Sequence, residues 1–395
     1  MGSESGSSSS GFRIRPFRAL FFNEAKFPLE DRILRLEYFY TAFRTGQFPR
    51  GRAMQAFYED ARRLGPRRAT QQWLLEGKFL QDLDPHFYVH QETFTLRGRT
   101  LTRTGLLAAL SLTPETGGIY DHEQTFPRGI QFHLHLLETT HKNFEPVLLM
   151  YNGSLPDPGL VWRESEPFFE VVDSFGHRHR YYRVRLDTSL HQQLESAVFV
   201  VADGHHRIEA SRAWARQHGR CYRLVELVPA KAPQLVILPT HRIFETRGPI
   251  SLQRLQEWAT LEPSKESNLD EAVFRLQDPE MLLAHPEGLF IWRWRPEILE
   301  KAQARQIPLH APFLLHELLI PALFGEEPPP LEYERNPEVA VSVIQEHRGL
   351  AFLLPFIRPM TVFDLALQGR RMPHKSTDFY PKLLAGPVIL DFIDL

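Results

Sequence analysis

A run of five residues, Asp-Gly-His-His-Arg at positions 203–207, carries the strongest chemical signal in the 395-residue chain. An apolar segment precedes it, and apolar residues at helical spacing follow it as far as Gly219. This pattern predicts a strand, a tight turn and a helix. Helical N–H groups, the positive end of the helix dipole and the basic side chains would then converge on one point. The run therefore has the outline of a phosphate site formed by Gly204, His205, His206 and Arg207.

Asp203 stands where the predicted strand ends. A carboxylate there is placed to hold Mg²⁺, since hard cations on phosphates are usually carried by one or two carboxylates plus water. A structural interpretation is equally open: Asp203 would be the N-cap of the helix, and the two histidines would lie on the surface. Spacing alone does not separate the two interpretations.

A second polar pair, His122-Glu123, lies upstream and comes before a predicted helix near 127–142. A Pro-Val-Leu-Leu segment at 146–149 follows, and then the apolar strand and the run at 203–207. This order of motifs resembles the core of the free L-serine kinases, the SerK group of the ParB/sulfiredoxin superfamily. The chain also resembles, over nearly its whole ordered length, the family catalogued as domain of unknown function 1015.

The wider resemblance is carried by seven blocks in the expected order. These blocks are Ile14–Ala19, Tyr88–Gln91, Arg103–Leu106, His122–Thr125, Ala202–Arg207, Leu238–Arg242 and Met372–Leu383. The resemblance implies a ParB/sulfiredoxin-like nucleotide-binding core in the middle of the chain.

The resemblance also implies roles for individual residues. Glu123, next to His122, would act as general base on the acceptor hydroxyl, and Asp203 would serve magnesium, while the loop that follows would hold phosphates. A primary alcohol is a poor nucleophile until a carboxylate accepts its proton, and phosphoryl transfer is otherwise mostly positioning and charge neutralisation. Accessory roles at the site are possible for four residues of the later blocks: Thr240, His241, Arg242 and Lys375.

Two stretches depart from the pattern of the family. A Pro-Pro-Tyr-Asp element usually follows the N-terminal block, whereas this chain has Phe21–Phe27 and a helical run. The N-terminal wall of the site is therefore expected to differ. His374 stands where the C-terminal motif usually has a second proline. The neighbouring Lys375 could reach a phosphate, but a packing role for this segment is at least as good an interpretation.

Other histidines and acids give weaker signals. The pairs His133/His135 and His177/His179 suggest metal ligands by proximity. Without a carboxylate or cysteine set beside them in the sequence, we expect both pairs to lie on the surface. Glu145 and Asp173 could act as acids, yet nothing in their spacing distinguishes them. Sulfiredoxin chemistry needs a cysteine in the loop where this chain has His205, and a ParB-like DNA role needs a helix-turn-helix and a basic face, neither of which is seen.

The composition excludes several classes of protein. With 46 basic and 48 acidic side chains the formal net charge is −2, so no overall field draws the chain to nucleic acid or to an anionic membrane. The single cysteine, Cys221, argues against redox catalysis and fits a reducing cytoplasm. No apolar run reaches the ~18–20 residues of a spanning helix. We therefore expect a cytoplasmic protein with neither nucleic acid nor membrane as partner.

The elements that must position these residues form a mixed α/β pattern. A disordered leader is expected at residues 1–11, followed by an N-terminal region at 12–245 that is helical over 30–82 and contains the nucleotide-binding core at about 118–245. Strand-like segments alternate with helical ones from Phe87 onward. A C-terminal α/β region is expected at 246–395, with helices near 251–259 and 268–283.

Three functional hypotheses follow. The first is a magnesium-dependent kinase that transfers phosphate from ADP or ATP to the hydroxyl of free L-serine or a similar small alcohol. The second is a nucleotide-binding switch or sensor of the same superfamily without catalysis. The third is a scaffold in which the histidine loop only caps a helix. Oligomeric state, phosphate donor and pathway are not predicted.

Overall fold

The computed structural model describes residues 13–153, 162–163, 166–246, 250–325, 328–346 and 349–393. The leader predicted at 1–11 lies outside these residues. The chain forms two compact units. The first unit comprises the residues up to Leu235 together with those from Pro381 onward, and the second comprises Val236–Tyr380. The first unit is therefore discontinuous in sequence.

The first unit begins with strands and helices in an irregular order. Its strands up to Leu235 are β1 (Ile14–Arg15), β2 (Leu20–Phe22), β3 (Leu34–Arg35), β4 (Phe79–Gln81), β5 (Phe87–Leu96), β6 (Arg99–Leu112), β7 (Ile119–Asp121), β8 (Lys142–Asn143), β9 (Val147–Tyr151), β10 (Trp162–Arg163), β11 (Phe169–Val172), β12 (Arg178–Arg185), β13 (Phe199–Asp203) and β14 (Cys221–Pro229). Its helices are α1 (Leu29–Arg32), α2 (Leu36–Thr45), α3 (Arg52–Leu64), α4 (Pro66–Leu75), α5 (Pro127–Thr140), α6 (Thr188–Ser196) and α7 (His205–His218).

The second unit has its own strands and helices. The strands are β15 (Val236–Leu238), β16 (His241–Glu245), β17 (Ala259–Pro263), β18 (Met281–His285), β19 (Gly288–Trp294), β20 (Leu331–Glu334), β21 (Gly349–Leu353) and β22 (Asp378–Tyr380). The helices are α8 (Leu252–Gln256), α9 (Leu269–Arg275), α10 (Pro296–Ala304), α11 (Ala311–Leu314), α12 (Ile320–Phe324), α13 (Pro337–Glu346) and α14 (Pro359–Leu367), with a π-helical turn at Leu315–Leu319. The chain then returns to the first unit with β23 (Leu384–Ala385) and β24 (Leu390–Asp391).

A mixed sheet organises the first unit. Its strand order is β10-β12-β5-β6-β14-β9-β13-β7, with β1 added on β6 and β11 on β12. The pairs β14/β9 and β13/β7 are parallel, and the other pairs are antiparallel. Apolar residues of α7, among them Ile208 and Trp214, pack with the central strands in one core. The predicted mixed α/β fold class is thus confirmed.

Aromatic side chains form a second core in the first unit. Phe57 of α3 and Trp73 of α4 pack edge to face with ring centroids 5.2 Å apart, and Phe79 of β4 contacts both rings. The region at 30–82 is mostly helical as predicted, but β3 and β4 interrupt it. Both strands are only two or three residues long, which is too short to leave a periodic signal.

The second unit is built on a six-stranded sheet of order β17-β19-β18-β21-β16-β20, in which every pair is antiparallel. Here two predicted helices are wrong in their extent. The helix predicted over 268–283 ends at Arg275 and is followed by the buried strand β18. Pro279 cannot continue a helix, and the five residues of β18 form an apolar run that suits a strand buried on both faces. The helix predicted near 251–259 likewise ends early, at Gln256.

Among the described residues, no helix is both long enough and apolar enough to cross a membrane.

Candidate functional site

Two parallel strands bring the predicted base and the predicted magnesium ligand to one edge of the first sheet. In the register of β7 and β13, Asp121 lies opposite Val201. Glu123 and Asp203 each stand two residues further along, so both leave the sheet at the carboxyl ends of neighbouring strands. Polar groups at such ends are well placed to converge on a ligand. Glu123 is partly exposed there.

The turn after β13 depends on Gly204. Its φ angle is +100°, a left-handed conformation that side chains with a Cβ rarely adopt. A Cβ at this position would also lie 2.8 Å from Nε of Arg207. The chain therefore reverses tightly and enters α7, a helix of 14 residues whose first N–H groups have no partner within the helix.

Asp203 holds two cations. Its Oδ2 accepts a hydrogen bond from Arg207 at 2.5 Å, and its Oδ1 accepts one from the ammonium group of Lys382 at 3.0 Å. Burial by itself would raise the pKa of Asp203, but Lys382 and Arg207 outweigh it and hold this pKa below the usual value. The carboxylate is therefore ionised at neutral pH, and it fixes two positive groups beside the start of α7.

Lys382 is the site residue that sequence reasoning missed. It appeared only as part of the last block of the family resemblance, with no role assigned. The preceding residue is held in place because Arg103 donates a hydrogen bond to the Pro381 carbonyl oxygen at 3.0 Å. Lys382 is separated from Asp203 by 179 residues, so no local pattern links the two.

Arg207 is anchored on its other side by the segment before β9. Its guanidinium donates to the carbonyl oxygen of Pro146 at 2.5 Å. The preceding Glu145 is buried, and its Oε1 lies 3.6 Å from Arg223 and 3.5 Å from His133. Burial would raise the pKa of Glu145, yet His133 and Arg223 lower it on balance. Glu145, which its spacing in the sequence does not distinguish, thus pairs with Arg223 next to the Pro146 carbonyl group that holds Arg207.

His205 and His122 form a buried pair. Their rings meet edge to face with centroids 4.6 Å apart, and Nδ1 of His122 donates to the Val201 carbonyl oxygen at 2.6 Å. Burial lowers the pKa of His205 to about 3 and brings the pKa of His122 well below its usual value. Both imidazoles are therefore neutral at pH 7. Nε2 of His205 is buried and has no hydrogen-bond partner among the residues that the structure describes.

The structural alternative for Asp203 is wrong on two counts. The N-cap of α7 is Gly204, and no side chain caps this end of the helix. His205 is buried rather than on the surface, and its ring packs against that of His122. The geometry of the run at 203–207 thus agrees better with a polar site than with a simple cap.

His206 links the starts of two helices. The backbone N–H of Phe126, just before α5, donates to Nε2 of His206 at 3.0 Å, and the two rings stack. Gly129 leaves room for this ring, since a Cβ there would lie 2.4 Å from Cδ2 of His206. His206 therefore helps to position the segment that runs from Glu123 into α5.

The accessory residues predicted from the later blocks lie in the second unit: Thr240, His241, Arg242 and Lys375. Arg242 is buried and fully engaged, donating to the Thr240 carbonyl oxygen and to Nε2 of His316, the latter at 3.0 Å. Burial lowers the pKa of Arg242 to about 10. Lys375 is exposed and has a positive φ of 58°. These contacts are those of residues that pack the second unit, and a role at the phosphate site stays a prediction for all four.

Magnesium needs carboxylate oxygens that it can share with water. Both oxygens of Asp203 face cations in this structure, so the carboxylate does not fit a magnesium site while it keeps these partners. The magnesium role of Asp203 therefore stays a prediction.

Comparison with known proteins identifies a family. The family model described as "Protein of unknown function (DUF1015)" matches residues 48–303, which is more than half of the chain. No curated protein matches the sequence.

Several solved structures are similar in fold at low sequence identity. A free serine kinase in complex with AMP is 14% identical with a TM-score of 0.37, and the match covers 72% of this chain and 91% of that one. A conserved hypothetical protein from Pyrococcus furiosus is 12% identical with a TM-score of 0.32, covering 71% of this chain and 94% of that one. SbnI with a C-terminal truncation, from Staphylococcus aureus, is 14% identical with a TM-score of 0.37, covering 71% and 86%.

Proposed function

The chain belongs to the DUF1015 family, and we propose that it is a nucleotide-dependent phosphotransferase that moves a phosphoryl group from ADP or ATP to the hydroxyl of a small alcohol such as free L-serine. One observation carries this proposal. Asp203, at the end of β13, holds Lys382 and Arg207 beside the N-terminus of α7. The neighbouring parallel strand, β7, leads to Glu123. This is a set of donors suited to a phosphate beside a carboxylate suited to an alcohol.

The cationic part of the site supports phosphate binding. The first N–H groups of α7 and the positive end of its dipole favour an anion at this point. The ammonium group of Lys382 adds a full charge that is partly exposed, whereas the guanidinium of Arg207 is largely buried against Asp203 and Pro146. We infer that Lys382 contacts the phosphate directly and that Arg207 mainly keeps Asp203 and the turn in place.

Glu123 is proposed as the base in the transfer. Its carboxylate would accept the proton of the acceptor hydroxyl as that oxygen forms its bond to phosphorus. The bond from phosphorus to the leaving nucleotide breaks in the same step, releasing ADP from ATP or AMP from ADP. The neighbouring His122 is neutral and hydrogen-bonded to β13, so its part would be to orient the segment that carries Glu123. If the reaction uses Mg²⁺, the ion would neutralise charge on the phosphates, and no step above depends on which residue holds it.

The experiment is to incubate the purified protein with magnesium chloride, L-serine and either ADP or ATP, and to follow O-phosphoserine by phosphorus NMR. We expect product with one of the two nucleotides. Glu123→Gln should reduce the rate by about 10²-fold or more, the usual contribution of a positioned general base. Glu138→Gln, an exposed glutamate of α5, is the matched control and should leave the rate unchanged.

Unchanged turnover in Glu123→Gln would remove Glu123 as the base. If no phosphoserine forms with either nucleotide, calorimetric titration with ADP and ATP separates the remaining possibilities. Tight binding that is lost in Asp203→Asn would indicate a nucleotide switch or a kinase for another alcohol. No binding at all would refute a nucleotide site at the start of α7.

A further inference from the structure

A second cluster of buried polar side chains lies on the sheet of the first unit, and the proposed phosphotransfer uses none of its members. His90 and Glu92 are two residues apart on β5 and therefore lie on the same face. His179 of β12 stands directly opposite Glu92 in the strand register. All three side chains are almost completely buried, and one ligand atom from each lies within 4.8 Å of the others.

Each histidine ring faces a carboxylate with its outer nitrogen. Nδ1 of His90 lies 2.9 Å from Oε2 of Glu226, and Nε2 of His179 lies 3.5 Å from Oδ2 of Asp173. The inner nitrogens, Nε2 of His90 and Nδ1 of His179, face each other at 3.0 Å. A carboxylate accepts hydrogen bonds, so it favours a proton on the ring nitrogen that it faces.

The tautomer with its proton on the outer nitrogen has its lone pair on the inner nitrogen. If both outer nitrogens of His90 and His179 carry the proton that their carboxylates favour, two lone pairs point at each other across 3.0 Å. Such a pair is repulsive unless a positive centre lies between or beside the two nitrogens. That centre is either a shared proton or a metal ion.

Glu92 supplies a third donor. Arg103 is paired with its Oε2 at 2.5 Å, while its Oε1 is buried and accepts no hydrogen bond from the described residues. This oxygen lies 3.6 Å from Nδ1 of His177 and 3.8 Å from Nε2 of His179. A buried carboxylate oxygen that accepts no hydrogen bond is costly, and a bound cation would satisfy it. Arg103 would then hold the carboxylate in place from its other oxygen, as hydrogen-bonded partners of metal-ligating carboxylates do.

Charge and shape favour a cation here. Three buried carboxylates, Glu92, Asp173 and Glu226, lie in this cluster. In the described part of the chain Arg103 is paired with Glu92 and Arg35 with Asp173, whereas Glu226 is paired with the imidazole of His90. The backbone also makes room for this set of donors. A Cβ at Gly105, opposite His90 on β6, would lie 2.4 Å from Oε1 of Glu226 and would push the carboxylate away.

We propose that His90, Glu92 and His179 bind a divalent transition-metal ion of the zinc type. Two imidazoles and one carboxylate are donors that suit zinc and its neighbours rather than magnesium or calcium, which prefer oxygen ligands throughout. Glu226 and Asp173 would hold the two rings from behind. The ion would tie β5 to its neighbouring strand β12. This proposal does not depend on the proposed phosphotransfer.

The test uses the full chain, freed of metal with a chelator and titrated with Zn²⁺ by calorimetry. We expect one equivalent to bind and the melting temperature to rise. X-ray absorption of the zinc-loaded wild type should give a shell of nitrogen and oxygen ligands at about 2.0–2.2 Å with two imidazole rings. Fewer than two imidazoles would overturn the site, and so would a failure to bind Zn²⁺, Co²⁺ or Ni²⁺, which would leave a proton shared between His90 and His179.

Variants locate the ion. His179→Gln should abolish the stoichiometric binding, and Glu226→Gln, which changes only a group behind the ligand, should weaken it about 10–100-fold. His218→Gln, at an exposed histidine of α7, is the control and should bind as the wild type does. Circular dichroism confirms that each variant is folded. One equivalent bound with wild-type affinity by folded Glu226→Gln and His179→Gln would place the ion elsewhere and overturn the proposal.

Discussion

Lys382 shows how a single distant side chain changes the chemistry at the end of β13. Without it, Asp203 would be paired with Arg207 alone, four residues away along the same turn. With it, the carboxylate joins the last segment of the first unit to the start of α7. The partly exposed ammonium group is also the cation of this set that is most accessible to a ligand.

Lys382→Met keeps the length of the side chain and removes its charge. We expect ADP and ATP to bind about tenfold more weakly, because a charge-assisted hydrogen bond to phosphate contributes about 1.5–3 kcal/mol. Calorimetric titration measures the change. Lys231→Met removes an exposed lysine of the same unit and serves as the control. Equal affinities in wild type and Lys382→Met would show that this lysine only balances the charge of Asp203.

The sequence predicted part of this site and could not have predicted the rest. The turn at 203–207 was visible because its strand, glycine and helix are adjacent in the chain. Lys382 was not, since its partner is a long-range contact. His177 and His179 were expected on the surface, and that prediction is wrong, because both are buried. No carboxylate stands beside them in the sequence, and Glu92 on β5 is brought to them only by strand pairing.

At the scale of elements, α7 is bounded at both ends by glycines in left-handed conformations. Gly204 has φ +100° and Gly219 has φ +84°. They differ in their surroundings. A Cβ on Gly204 would meet the guanidinium of Arg207 at 2.8–2.9 Å, whereas a Cβ on Gly219 would have no atom within 4 Å. An alanine at Gly219 would therefore introduce backbone strain alone, whereas an alanine at Gly204 would introduce strain and also crowd Arg207.

Gly204→Ala should lower the free energy of unfolding by about 1–3 kcal/mol through strain at positive φ, and should also displace Arg207 and weaken nucleotide binding. Gly219→Ala should show a similar loss of stability from strain alone with nucleotide binding intact. Urea unfolding and calorimetry measure the two effects. If both variants bind nucleotide equally well, the close approach of Gly204 to Arg207 has no part in forming the site.

Elements with a clear period were predicted well, and short or buried ones were not. The strand β13 and the helices α5 and α7 lie where the apolar segment and the helical spacing indicate. The sequence predicts a helix where the strand β18 forms, because a short run of apolar residues has no period that distinguishes the two. The pairing of β3 with β23 could not be predicted, since each strand has two residues and they are far apart in sequence.

At the scale of the whole molecule, the first unit is completed by the last residues of the chain. The strand β24 pairs with β8, and Val388, Leu390 and Phe392 are buried in the main core. The ammonium group of Lys142 is buried and donates to Asp391 at 2.6 Å. This terminal segment is thus part of the core of the first unit although the second unit separates it in sequence.

A chain ending at Pro387 should therefore be severely destabilised. It loses four buried apolar side chains, those of Val388, Ile389, Leu390 and Phe392, together with a strand pairing and a charge partner of the buried Lys142. Together these losses are comparable to the roughly 5–15 kcal/mol that stabilises a typical domain. Thermal unfolding followed by circular dichroism measures the loss. A peptide of residues 386–395 added to the truncated protein should restore part of the stability. A truncated chain that melts as the wild type does would contradict the core role of this segment.

The discontinuity of the first unit has a consequence for synthesis. Domains generally fold as units during translation, N-terminal parts first. Here the residues of the second unit are translated before the segment that carries Lys382 and β24. The second unit can therefore finish folding before the first unit has received β23 and β24. A ribosome that stops before residue 382 releases a chain without Lys382, so the ammonium group can reach Asp203 only after the whole of the second unit has been translated.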